Sequence, residues 1–174
     1  DLFSALGGFD PGIELLGEDL DLSWRAHVLG ARVLVAPGAR VAHLEALGQR
    51  RPVDDRRRLQ MRHRLRTTQV AYTRWSRIRV MPQAALLALV ELVFGVVTGR
   101  FAHAGDVVAA WTWNLRHRSS LRARRKLLAE HRRVADGDVR RLQVRGSARL
   151  AAFLRGQLHL GDHDRAESRL GSVT

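Results

Sequence analysis

Gly17-Glu18-Asp19-Leu20-Asp21-Leu22-Ser23-Trp24-Arg25 is the run on which the fold of this chain turns. Its carboxylates stand where the positive end of a helix macrodipole favours them, and Gly30 supplies a C-terminal stop, so a helix is expected from Glu18 to Leu29. Leu20, Trp24 and either His27 or Val28 then share one face. Upstream, Gly7-Gly8 and Asp10-Pro11-Gly12 read as turns within a loop. Downstream, Ala31-Arg32-Val33-Leu34-Val35 reads as a strand ended by Pro37-Gly38, and Ala39 to His43 as a second short strand. Residues 1–49 are therefore expected to form a small globular αββ segment.

The composition changes at Arg50. Arginine blocks follow at Arg50-Arg51, Arg56-Arg57-Arg58, Arg122 through Lys126, Arg132-Arg133 and Arg140-Arg141, and Lys126 is the sole lysine. The 174 residues carry a net charge of +13, which calls for an anionic partner or surface. The preference for Arg over Lys suits phosphates, and it also follows from G+C-rich codon usage. With no cysteine, disulfides and cysteine-zinc sites are excluded. A start at Asp1 with neither Met nor signal sequence reads as a fragment of a longer chain.

Helical spacing continues to near the end. Met61, Leu65, Thr68, Tyr72 and Trp75 form one stripe of a helix expected over residues 53–76. Pro82 suits the first turn of the next, over 83–98, and Gly99 breaks it. Further helices are expected over 101–115, onward to Val134, and from an Asp136-Gly137-Asp138 cap through Leu154. The divisions are 1–49, a basic amphipathic helix at 50–80, apolar helices at 81–115, Arg-rich helices at 116–160 and a disordered tail at 161–174. Basic, apolar, basic is the order of a chain that meets a membrane. A crossing needs about 20 apolar residues, and an acid such as Glu91 near the middle costs roughly 2.5–3.5 kcal/mol. An interfacial or re-entrant helix is thus favoured over a true span or a buried core helix.

The order of flexible loop, acidic helix entry, strand and histidine resembles the second half of the catalytic domain of inverting family-2 glycosyltransferases with the GT-A fold. The resemblance implies an α+β fragment, the C-terminal portion of a GT-A α/β domain followed by mostly helical, membrane-apposed segments. It makes Asp19 the general base and Glu18 its neighbour, although acids favour a helix start in any protein. Asp21 would only support the helix N-terminus. Gly7, Gly8, Phe9 and Asp10 would form the acceptor or donor loop, with Phe9 also suited to anchoring it in the core. His43 would help bind a divalent metal, Mn²⁺ or Mg²⁺, or the donor diphosphate; a lone strand histidine is otherwise usually structural. Arg62 and Arg64 would offer phosphate contacts, or simply a solvated helix surface. The metal's main Asp-x-Asp ligands would lie upstream of Asp1, because Asp19/Asp21, Asp136/Asp138 and Asp162/Asp164 do not end strands.

The implied activity is transfer of a sugar, of the hexosyl or rhamnosyl type, from a nucleotide-diphosphate donor to a cell-envelope glycan or lipid-linked acceptor. The implied place is an anionic membrane surface on the cytoplasmic face of a bacterial plasma membrane, and the fragment alone is expected to be inactive. Two alternatives need no such chemistry: a basic nucleic-acid-binding protein and a non-catalytic membrane scaffold. Against the former, Trp75, Trp111 and Trp113 sit beside apolar helices and not in a basic groove. No zinc-finger or RNA-binding signature occurs either, so no nucleic-acid partner is expected.

Overall fold

The computed structural model describes residues 1–42 and 53–143. Its helices are α1 (Leu2–Ala5), α2 (Glu18–Val28), α3 (Val53–Ala71), α4 (Arg74–Val97), α5 (Phe101–Arg116), α6 (Arg118–His131) and α7 (Asp136–Arg141). Asp1–Val139 makes one compact unit, and the chain from Arg140 belongs to another. Among the described residues there is no strand.

That absence overturns the α+β expectation and with it the resemblance to a GT-A domain, which needs a central sheet. Residues 31–42 are open chain with a turn closed by Ala39 N–H to the Ala36 carbonyl at 2.9 Å. Leu34, Val35 and Val41 are all largely exposed. Strand propensity expresses packing against a pleated neighbour, and no neighbouring strand is described. The expectation for His43 falls outside the described residues, as does the tail at 161–174.

The acidic run does form its helix. Leu29 caps α2, Gly30 follows with φ +83°, and Ala31 N–H closes back onto the Ala26 carbonyl at 3.0 Å. The connector after α6 binds the same end, with Arg133 and Val134 N–H donating to the Val28 carbonyl at 3.0 and 3.1 Å. Val28, Val70, Leu121, Leu128 and Val139 form the apolar core beside it, flanked by Trp24, Leu29 and Val134. Trp24 meets Tyr72 edge to face at 4.9 Å. α3 lies at the centre, packed against α2, α5 and α6.

The helix expected over 53–76 breaks at Thr73. Thr73 is extended, and its hydroxyl accepts from Ser76 N–H at 3.4 Å, capping α4. Asp136 holds the break from the far end of the chain: its Oδ2 accepts from Thr73 N–H at 3.0 Å and from the Thr73 hydroxyl at 2.5 Å. Arg132 pairs with Asp136 at 2.9 Å and donates to the Ala71 carbonyl. Trp75, grouped by spacing with the α3 stripe, therefore belongs to α4 and is 77% exposed. Pro82 lies inside α4 and does not open a helix. It removes one backbone bond, which the turns on either side tolerate.

α4 and α5 form an antiparallel hairpin turned at Gly99, φ +71°. At Gly95 an added Cβ would sit 3.2 Å from the Ala104 Cβ and 3.3 Å from the Arg100 carbonyl, so the small residue sets this close approach. Glu91 and Asp106, the acids of the two helices, both turn inward and are buried. Asp106 accepts from Arg57 at 2.8 Å and Arg58 at 2.9 Å, tying α3 to the hairpin.

Candidate functional site

The first seventeen residues fold around buried charge. Asp10 is fully enclosed, and Arg66 from α3 grips it with both ends of the guanidinium fork, Nε to Oδ2 at 2.9 Å and Nη2 to Oδ1 at 2.8 Å. Asp10 Oδ1 also accepts from Gly12 N–H at 2.8 Å. Arg124 from α6 donates to the carbonyls of Gly7, Gly8 and Phe9 at 2.8, 3.1 and 2.7 Å, and its Nε lies 4.0 Å from Asp10. Burial alone would raise the Asp10 pKa. The hydrogen bonds from Arg66 and Gly12 and the charges of Arg66 and Arg124 outweigh it and hold the carboxyl below its usual value.

The glycines of this loop make room for arginines. An added Cβ on Gly7 would fall 2.5 Å from Arg124 Nη1, and one on Gly12 would fall 2.5 Å from the Arg66 guanidinium. Arg66 is pinned by Asp10 and cannot withdraw. Gly12→Ala is therefore expected to cost about 1–3 kcal/mol, the usual range for overpacking, read as a lowered midpoint in urea unfolding. An unchanged midpoint would contradict this packing. Phe9 is half exposed and meets Phe3 edge to face at 5.4 Å, at the rim of the loop.

Asp21 is enclosed as well. Arg25 one turn later reaches it at 2.7 Å through Nε and 2.6 Å through Nη2, and both side chains are 1% exposed. Arg25 Nη1 also donates to the Leu6 carbonyl at 2.7 Å, and the Thr67 hydroxyl lies 3.4 Å from Asp21. Burial dominates here and pushes the Asp21 carboxyl above its usual range despite Arg25. Asp21 thus does more than support a helix N-terminus: it joins α2 to α1 and α3 through Arg25 and Thr67.

Glu18 and Asp19 stand at the open start of α2. Asp19 is exposed, with Oδ1 accepting from Leu20 N–H at 2.7 Å, while the Glu18 Oε2 is enclosed and makes no hydrogen bond among the described residues. The backbone just before them is held by His63. Leu16 is left-handed, φ +64°, and its carbonyl lies 3.0 Å from His63 Nδ1. A carbonyl only accepts, so Nδ1 carries the proton and Nε2 accepts from Arg62 Nη2 at 3.3 Å. Burial lowers the His63 pKa, in keeping with a neutral ring.

Beside the Asp10 cluster opens a cleft of about 530 Å³ between the loop and α5–α6, lined in part by Pro11, Arg66, Trp113, His117, Ala123 and Arg124. His117 stacks on Trp113 with centroids 4.0 Å apart, and Arg62 lies 4.4 Å over the same indole. Of the two arginines expected to meet phosphate, Arg62 therefore backs the cleft, whereas Arg64 is exposed elsewhere on α3 and has no lining role. Arg66, Arg124, Trp113 and His117 were not legible as a site. They come from three helices, and only Arg66, one turn after Arg62, gave a periodic hint.

Among the described residues no three His, Asp or Glu side chains converge on a point that could hold a metal. No protein-family model, curated protein or solved structure matches the chain.

Proposed function

We propose that this chain binds an anionic membrane surface through the outer face of the α4–α5 hairpin. One observation carries the reading. Trp75, Ile78, Pro82, Leu86, Leu89, Val93 and Val97 recur every three or four residues along α4, and all are exposed. They form a continuous apolar stripe about 33 Å long at the α-helical rise. Phe101, Val108 and Leu115 are likewise exposed along α5 at seven-residue spacing. α4 has the length and composition of a membrane-crossing helix, and only 17% of its most apolar window is buried, unlike the core helix of a globular domain. The acid that argued against a membrane crossing, Glu91, is buried in the protein. Arg74, Arg79 and Arg100 flank the stripe and are exposed; each contributes on the order of 1 kcal/mol near anionic lipid.

Co-sedimentation with phosphatidylglycerol-containing and pure phosphatidylcholine vesicles tests it. Binding is expected to favour the anionic vesicles and to fall at least about tenfold (about 1.4 kcal/mol) in the triple variant Leu86→Glu, Leu89→Glu, Val93→Glu, whose sites are all exposed. Equal binding of the triple variant and the parent would remove the proposal.

A second reading is sugar transfer from a nucleotide-sugar to an acceptor at that surface, with Asp19 as base. The observation favouring it is the contrast within α2: Asp21 is locked by Arg25, whereas Asp19 is exposed next to Glu18, whose Oε2 makes no hydrogen bond among the described residues. Because Asp19 is exposed, Asp19→Asn should shift stability by no more than about 0.5 kcal/mol. If it is a general base, turnover should fall by roughly 10²-fold or more. Unchanged turnover would end this reading.

A further inference from the structure

The cleft between the glycine loop and α5–α6 has no part in the membrane contact proposed above, and its construction has a chemical consequence. Three guanidinium groups, those of Arg62, Arg66 and Arg124, stand in or behind its wall. Facing them are one enclosed carboxylate, Asp10, and the exposed Glu14, whose Oε1 is 3.9 Å from Arg62. Arg66 satisfies Asp10, but Arg124 spends its Nη donors on the neutral carbonyls of Gly7, Gly8 and Phe9. Its charge is therefore held in place without a carboxylate in hydrogen-bond contact, and its Nε makes no hydrogen bond among the described residues.

Arg66 Nη1 donates to the Ser120 hydroxyl at 3.1 Å, which leaves the second hydrogen of that nitrogen uncommitted in the hydrogen bonds of Asp10 and Ser120. His117 places Nδ1 2.8 Å from the Trp113 carbonyl, so this nitrogen donates and Nε2 faces away from that bond. The remaining walls are apolar: Pro11, the Trp113 ring, Ala123 and Leu127. Fixed positive charge at one side and an aromatic-aliphatic wall at the other match a molecule with an anionic head and an apolar body.

We infer that this cleft binds a phosphate monoester with an apolar substituent, the phosphate toward Arg66 and Arg124 and the substituent against Trp113 and Leu127. A soluble phosphate ester and a lipid phosphate headgroup share this chemistry. Inorganic phosphate alone satisfies only the charged side of the cleft, so the ester should bind tighter. Burying a few methylene equivalents against the apolar wall, at about 0.8 kcal/mol each, gives roughly a tenfold advantage or more.

Ala123 offers a probe, since it lines the cleft and is exposed on α6. Ala123→Glu adds a negative charge to the cleft wall that repels a bound phosphate, while Ala123→Gln adds the same bulk without charge. Isothermal titration of the 174-residue chain and both variants would use inorganic phosphate, phenyl phosphate and, below its critical micelle concentration, dihexanoyl phosphatidic acid. Phenyl phosphate is expected to bind at least about tenfold tighter than inorganic phosphate, and Ala123→Glu to weaken it at least about tenfold (about 1.4 kcal/mol). Ala123→Gln should remain within about threefold of the parent, less than 1 kcal/mol by the same relation. Tighter binding of the phosphatidic acid than of phenyl phosphate identifies the lipid headgroup as the source; the reverse order identifies a soluble ester. Absence of phenyl phosphate binding, or equal binding to the parent and Ala123→Glu, overturns the site.

Discussion

Asp10→Asn is expected to lower the free energy of unfolding by roughly 3–5 kcal/mol, the usual loss when one partner of a buried ion pair is removed. Asparagine fills the same space and can still accept from Gly12 N–H. It leaves Arg66, itself buried, without the carboxylate it grips at 2.8 and 2.9 Å, and removes the negative charge 4.0 Å from Arg124. Against the 5–15 kcal/mol typical of a domain, this is a large share. The pH dependence carries the sign. The folded pKa of Asp10 lies below its unfolded value of 3.8, so its contribution is present above that value and is lost as pH falls through the folded pKa. Asp136, also held low by Ser76, Thr73 and Arg132 against its burial, acts in the same direction. Urea unfolding of the parent and Asp10→Asn across pH should show a gap that is widest near neutrality and narrows below about pH 3.8. A gap independent of pH would mean that packing, not ionisation, is what Asp10 supplies.

Asp21→Ala is the second large effect, about 3 kcal/mol, in place of the 0.3–1 kcal/mol that a helix-dipole role alone would give. It strands Arg25, 1% exposed and bound otherwise to the Leu6 carbonyl. Ionised Asp21 is already penalised by its burial, so the loss should be smaller than for Asp10→Asn. The double variant Asp21→Leu, Arg25→Met is expected to recover most of the stability, because a buried pair is often matched by apolar groups of similar volume. Thermal unfolding of the single and double variants checks this. A midpoint for Asp21→Ala within about 2 °C of the parent, about 0.5–1 kcal/mol at this chain length, would show that Arg25 finds another partner. Any loss of function in Asp21 variants is then to be read through folding, whereas Asp19, being exposed, can be changed with little effect on folding.

The carboxylates of the acidic run illustrate how far residue order reaches. Spacing put them at the start of one helix and made Gly30 its stop, and both hold. It could not rank Asp19 above or below Asp21. That ranking depends on Arg25 lying one turn along a face that happens to pack on Leu6 and Thr67. The strands fail for a related reason: residues 31–42 have the right residue types, but a strand exists only with a partner to receive its backbone bonds. The glycine pair was legible as a place of close approach. What approaches is a guanidinium sent from α6, more than a hundred residues away.

Residue order alone laid down the helical periods, the stops at Gly30 and Gly99, the basic excess and the apolar stretch of α4. These are local or compositional properties, set by backbone sterics, dipoles and solvation within a turn or two. Long-range packing set the rest: Glu91 turns inward, Thr73 breaks an expected helix under the hold of Asp136, and Asp10, Arg66, Arg124 and Trp113 meet around one cleft. Such pairings are matters of which distant groups can satisfy a buried charge. Many arginines in this chain were equally eligible by type, and burial in three dimensions chose among them.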